Sequence, residues 1–283
     1  MRYGLIAGNG RFPILALEEA RKLGHEVIAI GIREEASPEI EQLAARCYWI
    51  SLGELSRLIA ILKQEALQEV ILAGQVKHAS IFSSIRADWR LMRLLASLPR
   101  KNTEALIGGV ARELEQEGIR LGDSTRLLKP LLAGEGVLTR RRPTAEERAD
   151  IDYGRRIANA LAELDVGQSV AVAERACVAV EAMEGTDAML RRAATLVNGR
   201  PLRLVKVSRR RGHLLFDVPV AGPGTIAVMR ETGTTALAVD AGRTLLLDRD
   251  AMLEAADQAR ITIVGIAQMS EPAQKSDGEP PGG

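Results

Sequence analysis

Cysteine, histidine and aromatic side chains are scarce in this 283-residue chain, and each shortage removes a class of function. Cys47 and Cys177 stand alone, with no CxxC and no even-numbered framework, so the expectation is two reduced, small buried thiols in a cytoplasmic protein. His25, His78 and His213 sit in no metal-ligand spacing, which leaves no zinc cluster and no histidine-rich metal centre to read. Aromatics at 3% offer few platforms for base stacking, and a formal net charge of +1 gives no overall field for nucleic acid or an anionic membrane. No apolar run reaches the roughly 18 to 20 residues of a membrane span. The opening MRYGLIAGNG reads as a strand and a turn and not as a signal peptide. P-loop and GxSxG motifs are missing as well.

Apolar residues, at 46%, suffice for two cores in a chain of this length. Apolar runs at 3–7, 26–32, 48–50, 69–73 and 119–123 read as strands, and amphipathic stretches at 13–23, 52–64, 88–98 and 102–116 as helices between them. This alternation predicts an α/β protein with a Rossmann-like N-terminal domain. The segment 131–142, with Gly134, Gly136 and the run Arg140-Arg141-Arg142, has no clear period and reads as the domain link. Its arginines could approach a diphosphate or a membrane, although such runs usually face solvent. Thr144 and Glu147 form a capping-box pattern at the start of a helix over 144–164. Strands at 169–173, 202–208, 214–216, 236–239, 244–247 and 261–266, with helices at 225–231 and 250–259, then predict a mixed α/β C-terminal domain. The expected division is 1–132, 133–269 and a polar, Pro- and Gly-rich disordered tail over 270–283.

The chemistry gathers at three places. In ACVAVEAMEGTDAMLRR, from Ala176 to Arg192, an apolar alternation carrying Glu181 ends at Glu184-Gly185-Thr186-Asp187 and a helical pattern begins. Gly185 permits a tight turn, Thr186 is placed to cap the helix with its hydroxyl, and Asp187 sits in the first turn. Such a corner can hold a phosphate on its unpaired amides, with Glu181, Glu184 and Asp187 available to a divalent cation; it can equally be an ordinary αβ corner with solvated acids. The loop GNGRFP is half of a dinucleotide fingerprint, with Pro13 at the third glycine position and Glu34 and Glu35 following the second strand, so Gly10 and Arg11 read as nucleotide or sugar-phosphate contacts. Gln75 and Lys77, just past a strand end, are candidate ligand contacts on the same rule. In FDVP, Asp217 ends an apolar strand before Pro219 and Gly222, where a rigid carboxylate can bind a metal or orient a water.

The run VAVEAMEGTDAMLRR, together with LIAGNGRFP, LAGQVKHASIF, DIDYGRRIANALAELDVGQSVAV and FDVPVAGPGTI in that order and spacing, resembles the LpxI family, the UDP-2,3-diacylglucosamine pyrophosphatases of lipid A biosynthesis. The resemblance implies magnesium-dependent hydrolysis to UMP and 2,3-diacylglucosamine 1-phosphate. It makes Asp217 the essential acid and places Lys206 where the family has a lysine on the preceding strand. Asp187 and Glu184 become further metal ligands, and Gln168, Gly185 and Thr186 become substrate contacts, with Gly10 and Arg11 at the edge of the other domain. It also implies collection of a lipid at the inner-membrane surface and suggests a homodimer. SRRRGHLLFD departs from the family's Lys-Pro and Gln pattern between that lysine and the aspartate, which leaves the roles of residues 209 to 213 open. Two other functions remain open on the residues: an NAD-linked oxidoreductase using GNGRFP, and a non-catalytic sensor of the nucleotide-sugar lipid.

Overall fold

The computed structural model describes residues 1–74, 76, 87–98, 103–209 and 218–267. Gln75, Lys77, His213, Asp217, the strand expected at 214–216 and the tail at 270–283 lie outside the described residues.

Five strands, β1 Arg2–Ala7, β2 Glu26–Ile32, β3 Arg46–Ile50, β4 Glu69–Ala73 and β5 Arg120–Leu121, pair in parallel in the order β3-β2-β1-β4-β5. Helices α1 Phe12–Lys22, α2 Ile40–Leu43, α3 Leu55–Gln64, α4 Trp89–Ser97 and α5 Thr103–Gln116 are built into the connections. β1 and β2 are nearly unbroken apolar runs because a parallel sheet is covered on both faces. Side-chain alternation sends Ile28, Ile30 and Ile32 into one cluster with Leu58 and Leu62 of α3 and Leu91 and Leu94 of α4. Val27 and Ala29 go into the opposite cluster with Ile14, Ala16 and Leu17 of α1. The strand order reverses between β1 and β4, the switch point at whose carboxyl edge open α/β sheets bind ligands. Gly8 donates its N–H to the Ala73 carbonyl there at 2.8 Å. Gly74, at φ +88°, has no space for a side chain, since a Cβ would lie 2.5 Å from the Asn9 oxygen.

The second sheet is mixed. β6 Gly136–Val137, β7 Ser169–Ala173, β8 Ala176–Val180, β9 Leu202–Lys206, β11 Thr234–Asp240 and β13 Thr262–Ile266 lie in the order β6-β13-β11-β9-β7-β8. β9, β11 and β13 are parallel, and β6, β7 and β8 run antiparallel to their neighbours. One face buries Val170, Val172, Val205 and Ala238 against α6 Ala145–Glu163. The other buries Ala171, Leu204, Leu237 and Ile263 against α7 Thr186–Leu196, α8 Pro223–Glu231 and α9 Arg249–Gln258. A two-stranded parallel pair, β10 Val220–Ala221 and β12 Leu245–Leu246, joins the sheets, because Leu245 is buried in the same cluster as Phe12, Leu127 and Leu128.

The link between the sheets is held at several points. Leu132 bridges to Leu245, the Ala133 N–H donates to the Thr244 carbonyl at 2.8 Å, and β6 then becomes an edge strand on β13. The capping box at Thr144 and Glu147 is present, and it shares its glutamate with the basic run. Arg141 makes a two-point contact with Glu147 at 2.9 and 2.8 Å. The expectation that these arginines approach a diphosphate or the membrane surface, or are solvated, is therefore corrected for Arg141; Arg140 and Arg142 are exposed. No helix among the described residues is long and apolar enough to cross a membrane.

Candidate active site

β7 begins where β9 ends, because the two strands are antiparallel with Ser169 opposite Lys206. Backbone bonds tie the neighbouring segments to this point: Val207 N–H to the Gln168 carbonyl and Glu181 N–H to the Ser169 carbonyl, both 2.9 Å. The chain then turns at Gly185, φ +84°, a left-handed conformation that glycine adopts without strain, and enters α7. Gln168, Ser169, Glu181, Gly185, Thr186 and Lys206 thus converge at the carboxyl edge of β9.

Gly185 is the N-cap of α7, and Thr186 is already its first helical residue, which corrects the expectation that the Thr186 hydroxyl caps the helix. That hydroxyl accepts a hydrogen bond from Lys206 Nζ at 2.9 Å and donates to Glu181 Oε1 at 2.8 Å, with Ser169 Oγ 3.3 Å away. A half-buried ammonium beside the amino end of an 11-residue helix makes a cationic corner suited to phosphate oxygens.

The acids expected to hold a cation are placed differently. Glu184 is engaged by Arg192, which donates to it through Nη2 and, at 3.3 Å, through Nε; hydrogen bonding from Arg192, more than any other influence, holds the Glu184 carboxyl below its ordinary pKa. Asp187 is exposed in the first turn of α7. No three His, Cys, Asp or Glu side chains converge as a metal cage among the described residues. A magnesium ion needs only one or two protein carboxylates when substrate phosphates and waters complete its shell, so the exposed Asp187 fits such an ion while Glu184 fits only after release from Arg192.

Gly10 and Arg11 lie at the other carboxyl edge, after β1. Arg11 reaches across to the C-terminal half, donating to Asp248 at 3.2 Å, with Glu18 at 3.5 Å and Glu39 at 3.9 Å. Burial lowers the Arg11 pKa, but the bond to Asp248 and the charges of Asp248, Glu18 and Glu39 together outweigh it and the net direction is upward. Asp248 precedes α9 in a left-handed conformation, φ +46° and ψ +51°. Sequence reasoning did not single out this cross-link, because its partners are 237 residues apart.

It also missed Asp240, buried at the end of β11, one residue past the Val239 that pairs with Lys206 and on the α6 face of the sheet. Asp240 accepts from Arg155 Nη2 at 3.0 Å, from the Ser208 N–H at 2.8 Å and from the Ser208 hydroxyl at 3.1 Å. Its signal was legible: in AVDAG, as in FDVP, an acid follows an apolar run of sequence. Asp240 fixes the chain that leaves β9. The same chain rejoins the described structure at Val218, packed in the layer between the sheets, one residue after Asp217.

Fold and site together define a two-sheet α/β protein with Lys206, Thr186 and Glu181 gathered at the amino end of α7. The family profile LpxI N-terminal domain matches residues 2–140 and the profile LpxI C-terminal domain matches residues 134–264. The chain is 31% identical over 281 residues to UDP-2,3-diacylglucosamine pyrophosphatase LpxI of Caulobacter vibrioides, covering 96% of this chain and 99% of the relative. This chain belongs to the LpxI family. Among solved structures, an ADP complex of N5-carboxyaminoimidazole ribonucleotide synthetase aligns with 60% of this chain and 31% of its own at 14% identity and a TM-score of 0.28. A UDP-glucose 4-epimerase from Bifidobacterium longum with NAD+ and UDP aligns with 42% and 35% at 11% identity and a TM-score of 0.28.

Proposed function

We propose that this protein hydrolyses the pyrophosphate bond of UDP-2,3-diacylglucosamine, with magnesium, to UMP and 2,3-diacylglucosamine 1-phosphate in lipid A biosynthesis. The observation that carries this reading is the Lys206 and Thr186 pair, 2.9 Å apart, at the opening of α7 in a chain whose two halves both match the family. Pyrophosphate hydrolysis requires the charge on non-bridging oxygens to be offset and a water to be held in line with the leaving oxygen. Lys206 offsets that charge, the α7 amides with Gly185 and Thr186 hold the phosphate, and Gln168 borders the same corner. Asp217 is assigned to orient the water and, with Asp187, would hold the metal, which would supply further neutralisation of the phosphates. Gly10, Arg11, Gln75 and Lys77 are assigned to substrate from the N-terminal half, so that 1–132 binds and 133–269 carries the chemistry. Arg11 would exchange Asp248 for ligand.

The proposal includes a cytoplasmic protein that meets its lipid at the inner-membrane surface. Supporting this, α4 turns Trp89 and Met92 outward, 61% and 59% exposed, with the Arg90 and Arg93 guanidiniums 5.3 and 5.2 Å from the indole. An amphipathic ring beside cations suits a bilayer interface. The homodimer suggested by family resemblance belongs to the same proposal and is read by light scattering. The oxidoreductase alternative is less well supported, since Glu35 is buried and one Glu34 oxygen already accepts from the Leu52 N–H at 3.3 Å.

The test is UMP release from UDP-2,3-diacylglucosamine with magnesium, with EDTA, and with Asp217→Ala. The expected result is release that needs both the metal and Asp217, with a loss of at least about 100-fold in the variant. Intact substrate from folded wild type would refute the hydrolase; binding without turnover would favour the sensor.

A further inference from the structure

We infer that Glu181 is a positioning residue for this reaction, fixing the Thr186 hydroxyl and, through it, the direction in which the Lys206 ammonium is presented to phosphate. This role rests on the hydrolase reading above.

Donor and acceptor chemistry dictates the order of the chain. An ammonium has three donors and no acceptor, so in the 2.9 Å contact the Thr186 oxygen must accept from Lys206. An ionised carboxylate only accepts, so in the 2.8 Å contact Thr186 must spend its single proton on Glu181. The Ser169 hydroxyl, 3.3 Å away, is then left as a donor to the second lone pair of Thr186. The hydroxyl rotor is thereby locked, and one of the three Lys206 N–H directions is committed to it.

Glu181 is itself well anchored, with its N–H on the Ser169 carbonyl at 2.9 Å. A carboxylate beside an anion-binding corner opposes ligand charge, and Glu181, read from sequence as available to a divalent cation, has one oxygen committed to the Thr186 hydroxyl and joins no cluster of metal-ligating side chains among the described residues. Holding the hydroxyl accounts for its place there. Glu181 is also the one charged residue set into the run ACVAV-E-AM, where the neighbours only pack or turn.

The experiment compares kcat and KM for UMP release in wild type, Glu181→Ala, Glu181→Gln, Thr186→Val and the double variant Glu181→Ala/Thr186→Val, with thermal melts alongside. Glu181→Ala is expected to lower kcat by about 10- to 100-fold, with KM unchanged or lower because a negative charge has gone. Glu181→Gln, whose amide oxygen still accepts the Thr186 proton, restores most of kcat. In the Thr186→Val background, Glu181→Ala costs less than about 2-fold more, because a residue acting through the hydroxyl has nothing left to act on. Should Glu181→Ala fail to fold, Glu181→Asp, one methylene shorter, reads the same step. An active wild type with Glu181→Ala equally active, or with losses that multiply in the double variant, would overturn the role of Glu181 alone. A folded wild type that leaves substrate intact would overturn the hydrolase reading, and this role with it.

Discussion

Replacing Arg141 with alanine separates a structural use of the basic run from a ligand-binding one. Its guanidinium gives two bonds to Glu147, at 2.9 and 2.8 Å, and one each to the Thr235 and Arg260 carbonyls, both 2.7 Å. Those four bonds leave at most one of the five guanidinium N–H groups for anything else. Glu147 is 3% exposed and also accepts from the Thr144 N–H at 2.9 Å and the Thr235 hydroxyl at 2.6 Å. Removing one partner of a buried ion pair costs about 3–5 kcal/mol, and the two bonds that Glu147 keeps place the loss at about 3 kcal/mol. At roughly 2–4 °C per kcal/mol, the C-terminal transition should fall by about 6–12 °C. UMP release at 20 °C, corrected for folded protein, should change less than about 2-fold.

The same pair sets an acid limb. Burial alone raises the Glu147 carboxyl, but the bonds from Arg141, Thr235 and Thr144 outweigh it and bring its pKa below the ordinary 4.5. A depressed carboxylate stabilises the fold fully above that ordinary value, and the contribution is lost as pH falls through the lower folded value. Circular-dichroism melts from pH 7 to pH 3 should therefore show a steeper loss in wild type than in Arg141→Ala. A variant that melts with wild type and loses turnover 10-fold would refute the structural assignment.

Burial, with a smaller push from the Glu41 charge, raises the Cys47 thiol to about 11, and burial also raises Cys177. At pH 8 about 0.1% of Cys47 is thiolate, so iodoacetamide should label the native protein at least 100-fold more slowly than the urea-unfolded chain; rapid native labelling would contradict this. Trp89→Ser/Met92→Ser should melt like wild type yet bind phosphatidylglycerol vesicles at least about 10-fold more weakly in sedimentation. Equal vesicle binding would remove α4 from the membrane-facing surface.

Local rules read the parallel sheet well, because continuous apolar runs such as VIAIGI in β2 have few other uses in a chain of this composition. They failed where the partner is distant. β12 lies within the strand expected at 244–247, but its partner β10 is two residues long, too short for any period, and the pair is held where Leu245 packs in the cluster of Leu127 and Leu128. The β7–β8 turn uses Glu174 and Arg175 at φ +51° and +58°, without the Asn-Gly or Asp-Gly pair that marks such a hairpin in sequence. Arg141 looked like part of a solvated run because its two carbonyl acceptors are 94 and 119 residues away.

Thr186 shows the same limit at the site. A threonine opening a helical pattern is locally a cap, and that was the reading its neighbours supported. Gly185 takes the cap position, and the hydroxyl is spent on Lys206, 20 residues on, and Glu181, five residues back. A side chain diverted from the task its local sequence assigns loses a capping bond, a change usually unfavourable by about 1 kcal/mol. Such a diversion persists when another contact compensates or when function requires it. Lys206, Thr186 and Glu181 therefore mark the place where the sequence departs from its own local rules, and the carboxyl edge of β9 is where the chemistry of this chain is most economically sought.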